Sequence, residues 1–331
     1  MKKTFIFSLI LSLSFSASTY AQVKTAIPVG ETVGISLITD GLLVTDTADL
    51  ECENGATKNP AKSAGIRKGD RLLTADGNKI YSSAWLKEYV SSRQNDIVLS
   101  INRSGESFYT VVTPVKSKGE YQIGIWVKDS IAGIGTITFI LPEIGTFGAL
   151  GHGIADSDTG VLLTAREGKL FSCNLNNPKK GCPGTPGELQ GRFSPNILGE
   201  FSKNTNFGIF GKIQDSSIFS QRKEVPIAKE NEIHEGKATI LSNVDGKESL
   251  EYEIEILKTD FDEPSGKNFI LKVTDAALLD KTGGIVQGMS GSPILQDGKL
   301  IGAVTHVFVN DPTRGYAIFI ENMLSEAEKI K

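Results

Sequence analysis

Cysteine and histidine are scarce: the 331-residue chain has three of each. So few cysteines exclude a scaffold built on disulfides, and no Cys or His pair has the spacing of zinc ligands. The formal net charge of −4 provides no basic footprint of the kind phosphates require, which argues against nucleic acid as a partner. Beyond the N-terminus no run is long and apolar enough to span a bilayer. Three histidines also leave a short list of candidate bases. Glycine, by contrast, is abundant at 35 residues, which points to many tight turns and an all-β plan rather than long helices. The length is that of about two domains.

The N-terminus has the three regions of a secretory signal. Lys2 and Lys3 precede an apolar run over residues 5–15, and small residues follow up to Thr19-Tyr20-Ala21. Residues 1–21 are therefore expected to be removed and the protein exported, to a periplasm or another extracytoplasmic space. A retained anchor helix is the alternative. Export permits a disulfide, and Cys173 and Cys182 flank a polar loop across which they could pair. Two unpaired thiols are the alternative, and Cys52 is left over in either case.

From Gly41 to about Lys116 the pattern is that of a compact α+β unit. Gly41-Leu42-Leu43-Val44 reads as a strand. Residues 64–77 read as a helical turn, a Gly69-Asp70 turn, an apolar strand and an Asp76-Gly77 hairpin. Ser83 is expected to cap a helix carrying Trp85, Leu86, Tyr89 and Val90 at helical spacing. Two alternating strands, 97–101 and 108–112, meet at a Ser104-Gly105 turn. This order resembles a PDZ domain, which takes up an extended peptide as an added strand at a sheet edge. Residues 33–37 are the expected edge. The lead-in and this unit occupy residues 22–118, and a second domain is expected over 119–331.

From Tyr121 onward, short apolar runs bounded by Gly or polar residues follow one another. They cover 122–127, 135–140, 146–150, 160–164, 207–213, 238–241, 250–256, 268–273, 292–295, 300–309 and 316–320. Strands at this density predict a barrel or sandwich, closed by a C-terminal helix over 321–330.

The chemistry is carried by Gly288-Met289-Ser290-Gly291-Ser292-Pro293. Flanking glycines let the backbone turn sharply and approach a substrate. They can aim the amides of Gly288 and Ser290 at one point, as an oxyanion hole requires. A strand, an Asp297-Gly298 turn and a second strand follow, which resembles the nucleophile region of trypsin-like serine peptidases and not a strand-to-helix elbow. A serine hydroxyl needs a base. His234 sits in a polar surface run, and His306 lies in an apolar strand and reads as a strand residue near the site. His152 stands between glycines at a strand end and is the candidate base. Asp156, Asp158 and Asp275 compete to orient it. The order His152, Asp275, Ser290 matches the trypsin-like order, with Asp275 unusually late.

Longer stretches carry a closer resemblance. Residues 282–294 and 301–313 resemble the stage IV sporulation protein B peptidase family. So do Ala132-Gly133-Ile134-Gly135-Thr136, Phe147-Gly148-Ala149-Leu150-Gly151-His152 and Phe207-Gly208-Ile209-Phe210-Gly211. The resemblance implies a mostly β fold, a trypsin-like double β-barrel preceded by a PDZ domain. It implies Asp275 as the acid beside His152 and Ser290, and chemistry that requires no metal or cofactor. It further implies self-cleavage near the N-terminal segment and then cleavage of a regulatory membrane protein. The expected activity is serine endopeptidase. The competing class is a PDZ-containing peptide-binding protein on a peptidase scaffold without turnover.

Overall fold

The computed structural model describes residues 25–330, and the expected signal segment, 1–21, lies outside them. The described residues open on one long strand, β1 (Thr25–Thr47), with register breaks that let it serve two domains. Its first half belongs to a barrel, and beyond the break between Ile38 and Leu43 it enters the PDZ-like unit. There follow a short helix α1 (Pro60–Ser63), β2 (Arg71–Ala75), helix α2 (Ser83–Ser91), β3 (Ile97–Arg103) and β4 (Glu106–Val112). β1, β2, β3 and β4 pair in that order. Leu42, Val44, Leu72, Leu86, Val90, Leu99 and Ile101 are buried between this sheet and the helices. The Gly-Asp signature has a structural cause. The fully buried Asp70 carboxylate accepts from Arg103 Nε at 2.6 Å and from the Arg67 amide at 2.8 Å, which ties the turn to β3. The cap of α2 is Ser82, one residue before the expected one, and its hydroxyl accepts from the Trp85 amide.

The next strand, β5 (Ile125–Leu141), merges two expected strands into one of 17 residues. It is followed by β6 (Thr146–Ala149), β7 (Ala165–Leu175), β8 (Gly191–Thr205) and β9 (Gly208–Ile213). The strands β1, β5, β6, β9, β8 and β7 pair in that order, and β7 returns to β1 to close a ring. The lead-in is thus a stave of the first barrel, not an appendage of the PDZ-like unit. Val33, Leu37, Ile137, Phe147, Leu170 and Ile209 fill this barrel.

The second barrel is closed by β10 (Gly236–Ser242), β11 (Leu250–Thr259), β12 (Phe269–Val273), β13 (Pro293–Gln296), β14 (Lys299–Phe308) and β15 (Asp311–Phe319). Its sequence logic shows in β11. Tyr252, Ile254 and Ile256 point inward and are buried, while Glu251, Glu253 and Glu255 alternate with them and are exposed. Helix α3 (Ala276–Thr282) precedes the serine loop. Helix α4 (Ile320–Ala327) buries Ile320, Met323, Leu324 and Ala327 at helical spacing.

Two further expectations are corrected. Residues 33–37 are not a free edge, because they pair with β5 on one side and β7 on the other and have no unpaired side to offer a peptide. The 160–164 run forms only a bridge between Ala155 and Leu162. It closes a loop held by Asp156, which is buried and accepts from the Thr159 amide at 2.9 Å and from Lys128 Nζ at 2.8 Å. Cys173 and Cys182 are free thiols, as is Cys52. Among the described residues no helix is long and apolar enough to cross a membrane.

Candidate active site

The two barrels meet at the serine loop. Helix α3 ends at Gly283 in the left-handed region, and the chain then runs through Gly288 (φ +99°) and Gly291 (φ +98°). Only glycine fits at 291: a Cβ there would lie 2.1 Å from the Thr136 carbonyl and 2.5 Å from the Leu150 amide. The loop is therefore laid directly on the first barrel. The Thr136 hydroxyl donates to the Gly288 carbonyl at 2.7 Å, and the Thr136 amide to the Ser290 carbonyl at 3.0 Å. On the other side the Gly291 amide donates to the Val304 carbonyl at 2.7 Å. The amides of Gly288 and Ser290, by contrast, donate to no acceptor among the described residues.

His152 follows β6 through two consecutive left-handed residues, Leu150 (φ +71°) and Gly151 (φ +68°). A leucine held there is strained, as occurs where a site dictates the backbone. The turn carries His152 into the same cavity as Ser290. That cavity, about 570 Å³, is walled by Ile35 of β1, Ile131 and Ile134 of β5, Leu150, Val286 and Val307, with Gly288 and Thr305 beside the serine. The structure thus brings His152, Ser290 and Gly288 to the lining of one cavity.

The half-buried imidazole of His152 has its Nδ1 3.0 Å from the Gly153 carbonyl. An Nδ1–H donating there leaves Nε2 with the lone pair, the tautomer a general base needs. Burial pushes this imidazole below its ordinary pKa, and the Gly153 carbonyl opposes the shift only in part. The Ser290 hydroxyl donates to the Thr305 carbonyl at 2.6 Å.

Asp275 is not brought to His152. Its carboxylate caps α3, accepting from the Leu278 amide at 2.9 Å, with a longer contact from the Glu253 amide at 3.4 Å. An Asp three residues before a helical amide is a strong N-cap, and chain order cannot distinguish that use from a catalytic one. Asp156 and Asp158 are both held by Lys128. His234 is a surface residue 3.0 Å from Asp297. A direct consequence is testable. Asp275→Asn preserves an N-cap and is expected to leave peptidase activity within a few-fold of wild type, whereas Asp275→Ala should lower stability by about 0.5–2 kcal/mol. A loss of activity near 10⁴-fold in a stably folded Asn variant, as for a triad acid, would restore the carboxylate to the chemistry.

Sequence reasoning missed the groups that come from elsewhere in the chain: Thr136, Ile35, the Thr305 carbonyl and the His306 ring, 4.8 Å from that of His152. In the sequence His306 reads as a strand residue near the site, and no sequence signal marks its approach to His152.

The profile of SpoIVB peptidase S55 matches residues 119–324, well over half of the chain. The chain belongs to that family. The protein is thus a peptidase by family. Its S55 domain draws one barrel strand, β1, from before the matched region. Other comparisons cover shorter parts. A candidate zinc metalloprotease of Bartonella henselae is 35% identical over 23% of this chain and 22% of its own. A like-named protein of Lactococcus lactis is 31% identical over 28% and 21%. The chain thus spans about a fifth of the length of these relatives. Among solved structures, the PDZ domain of the SdrC-like protein from Listeria monocytogenes is 21% identical, covers 27% of this chain and 90% of that one, and has a TM-score of 0.23. The inactive form of the Rv3671c protease is 11% identical, covers 58% and 83%, and has a TM-score of 0.34.

Proposed function

We propose that this S55 peptidase is an exported serine endopeptidase that cleaves a protein substrate, its own N-terminal segment included, within an extended apolar stretch. The observation that carries this reading is the convergence of His152 and Ser290 on one cavity whose Gly288 and Ser290 amides have no partner. In the reaction His152 Nε2 takes the Ser290 proton as the hydroxyl turns from the Thr305 carbonyl. The oxygen attacks the peptide carbonyl, and the two free amides hold the oxyanion. The imidazolium then gives its proton to the leaving amine, and water hydrolyses the acyl-enzyme by the same path. Gly153 supplies, through its carbonyl, the tautomer control that a carboxylate supplies in the triad.

The zinc named for the curated relatives does not fit this site. Among the described residues no three His, Cys, Asp or Glu side chains stand together as a ligand set.

The cavity wall sets the substrate class. Its lining holds no carboxylate, lysine or arginine, and aliphatic side chains dominate it. A desolvated charge there would lack a partner, at a cost of several kcal/mol. A second groove, of about 310 Å³, lies between α2 and residues 120–127, lined by Leu86, Val90, Ile123 and Trp126. It is the place for strand-wise peptide capture by the PDZ-like unit, in place of residues 33–37. Digestion of a mixed peptide library tests the substrate class. Cleavage is expected next to Val, Leu, Ile or Ala, with charged residues rejected at least tenfold. Preferential cleavage beside Lys, Arg, Asp or Glu would contradict it.

A further inference from the structure

The second imidazole of the cavity has no part in the proton transfers above. His306 follows Thr305, whose carbonyl holds the Ser290 hydroxyl, and its ring lies against that of His152 with centroids 4.8 Å apart and planes tilted by 35°. Both side chains line the cavity. His306 is fixed there by the sheet: β14 pairs with β15 on both sides of a register break, with His306 opposite Tyr316. Across the cleft, His152 has one polar contact, the Gly153 carbonyl. In a trypsin-like triad a carboxylate holds the base, but here the Asp275 carboxylate caps α3. The Gly153 carbonyl fixes one nitrogen of the ring and leaves its faces to packing.

We propose that His306 is a positioning residue for the general base: its tilted, closely packed ring holds the His152 imidazole toward Ser290 and screens part of it from water. The proposal rests on the serine-peptidase reading. Two adjacent imidazoles do not both carry a proton readily. Desolvation, the neighbouring His152 and the charge of Lys267 push His306 down to about 4, although its side chain reaches solvent. His306 therefore stays neutral when His152 takes the serine proton, and its ring, inclined by 35°, lies beside the imidazolium that forms. The titratable side chains facing His152 from the cavity lining reduce to this one; Lys267 acts on the far side, over the Tyr316 ring.

The test is a pH titration of the His152 side chain by nitrogen-15 NMR on the full chain, beside the rate of Ser290 labelling by a fluorophosphonate. Wild type, His306→Ala and His306→Phe are compared at matched melting temperature. In His306→Ala, water reaches the exposed face, so the His152 titration is expected to rise toward 6.5. Labelling should slow about 10- to 100-fold, as for a reacting group misplaced by about an ångström. His306→Phe restores a ring without nitrogens, so it should recover most of the rate and hold the titration low. His306→Gln, polar and ringless, takes the place of Ala should that variant not fold. An Ala or Gln variant with unchanged titration and labelling overturns the proposal, as does a folded Phe variant as impaired as Ala. Because the titration is read without turnover, the two claims fail separately. A wild type that shows the ring effect and yet never labels sinks the peptidase reading, and with it the catalytic meaning of the contact.

Discussion

Replacing Ser290 by alanine is expected to lower peptide hydrolysis by roughly 10⁴- to 10⁶-fold while leaving a folded protein. The magnitude follows from the role: removal of an acyl-transfer nucleophile leaves only the rate supplied by the oxyanion donors and by binding. The fold should tolerate the change, because the hydroxyl makes one hydrogen bond, to the Thr305 carbonyl, and the loop is held by backbone bonds through Thr136 and Gly291. Loss of that bond is worth about 1 kcal/mol. Side-by-side rates on an apolar reporter peptide, with melting curves for both proteins, decide the matter. Hydrolysis by Ser290→Ala within tenfold of wild type would mean that another group does the chemistry. Mapping the mature N-terminus of both proteins adds the self-processing claim, since only the active form should trim itself beyond the signal.

His152 should show a comparable loss on substitution by alanine, roughly 10⁴- to 10⁶-fold, and it also sets the pH dependence. The base must be neutral to accept the serine proton. Burial depresses its pKa, so kcat/KM should be fully present above the ordinary imidazole value of 6.5 and fall only as pH drops below it. Stability has the same sign. Below pH 6.5 the unfolded chain binds a proton at His152 before the folded chain does, so stability falls with acidification. His306 extends that loss from 6.5 down to about 4. A pH–rate profile with its acid limb above 7 would show that some other group, or a charged His152, controls the step.

The chemical core was legible because it is local. The serine loop, its two glycines and the strand–turn–strand after it are contiguous, and His152 lies between glycines at a strand end. The second barrel was readable from alternation such as that of β11, where exposed Glu251, Glu253 and Glu255 alternate with buried Tyr252, Ile254 and Ile256. What escaped had no local signature. β1 reads as an apolar stretch that either domain could own, and only its pairing with β5 and β7 assigns it to the barrel. Asp275 was chosen by chain order and by resemblance, yet an aspartate before an Ala-Ala-Leu-Leu run is also a helix cap, and the fold uses it so. The 160–164 run is apolar enough for a strand, but the buried Asp156 gathers its loop into turns. His306 looked like one more residue of an apolar strand; that its ring meets His152 depends on how two barrels close on each other.

The central claim is that Ser290 is a nucleophile activated by His152. The most direct measurement is the site and pH dependence of fluorophosphonate attachment, read by tandem mass spectrometry of the full chain. The account predicts one adduct, on Ser290, formed at a rate that declines on acidification below pH 6.5 and lost in His152→Ala. An adduct on a different residue, or attachment to Ser290 that is indifferent to His152, would contradict it.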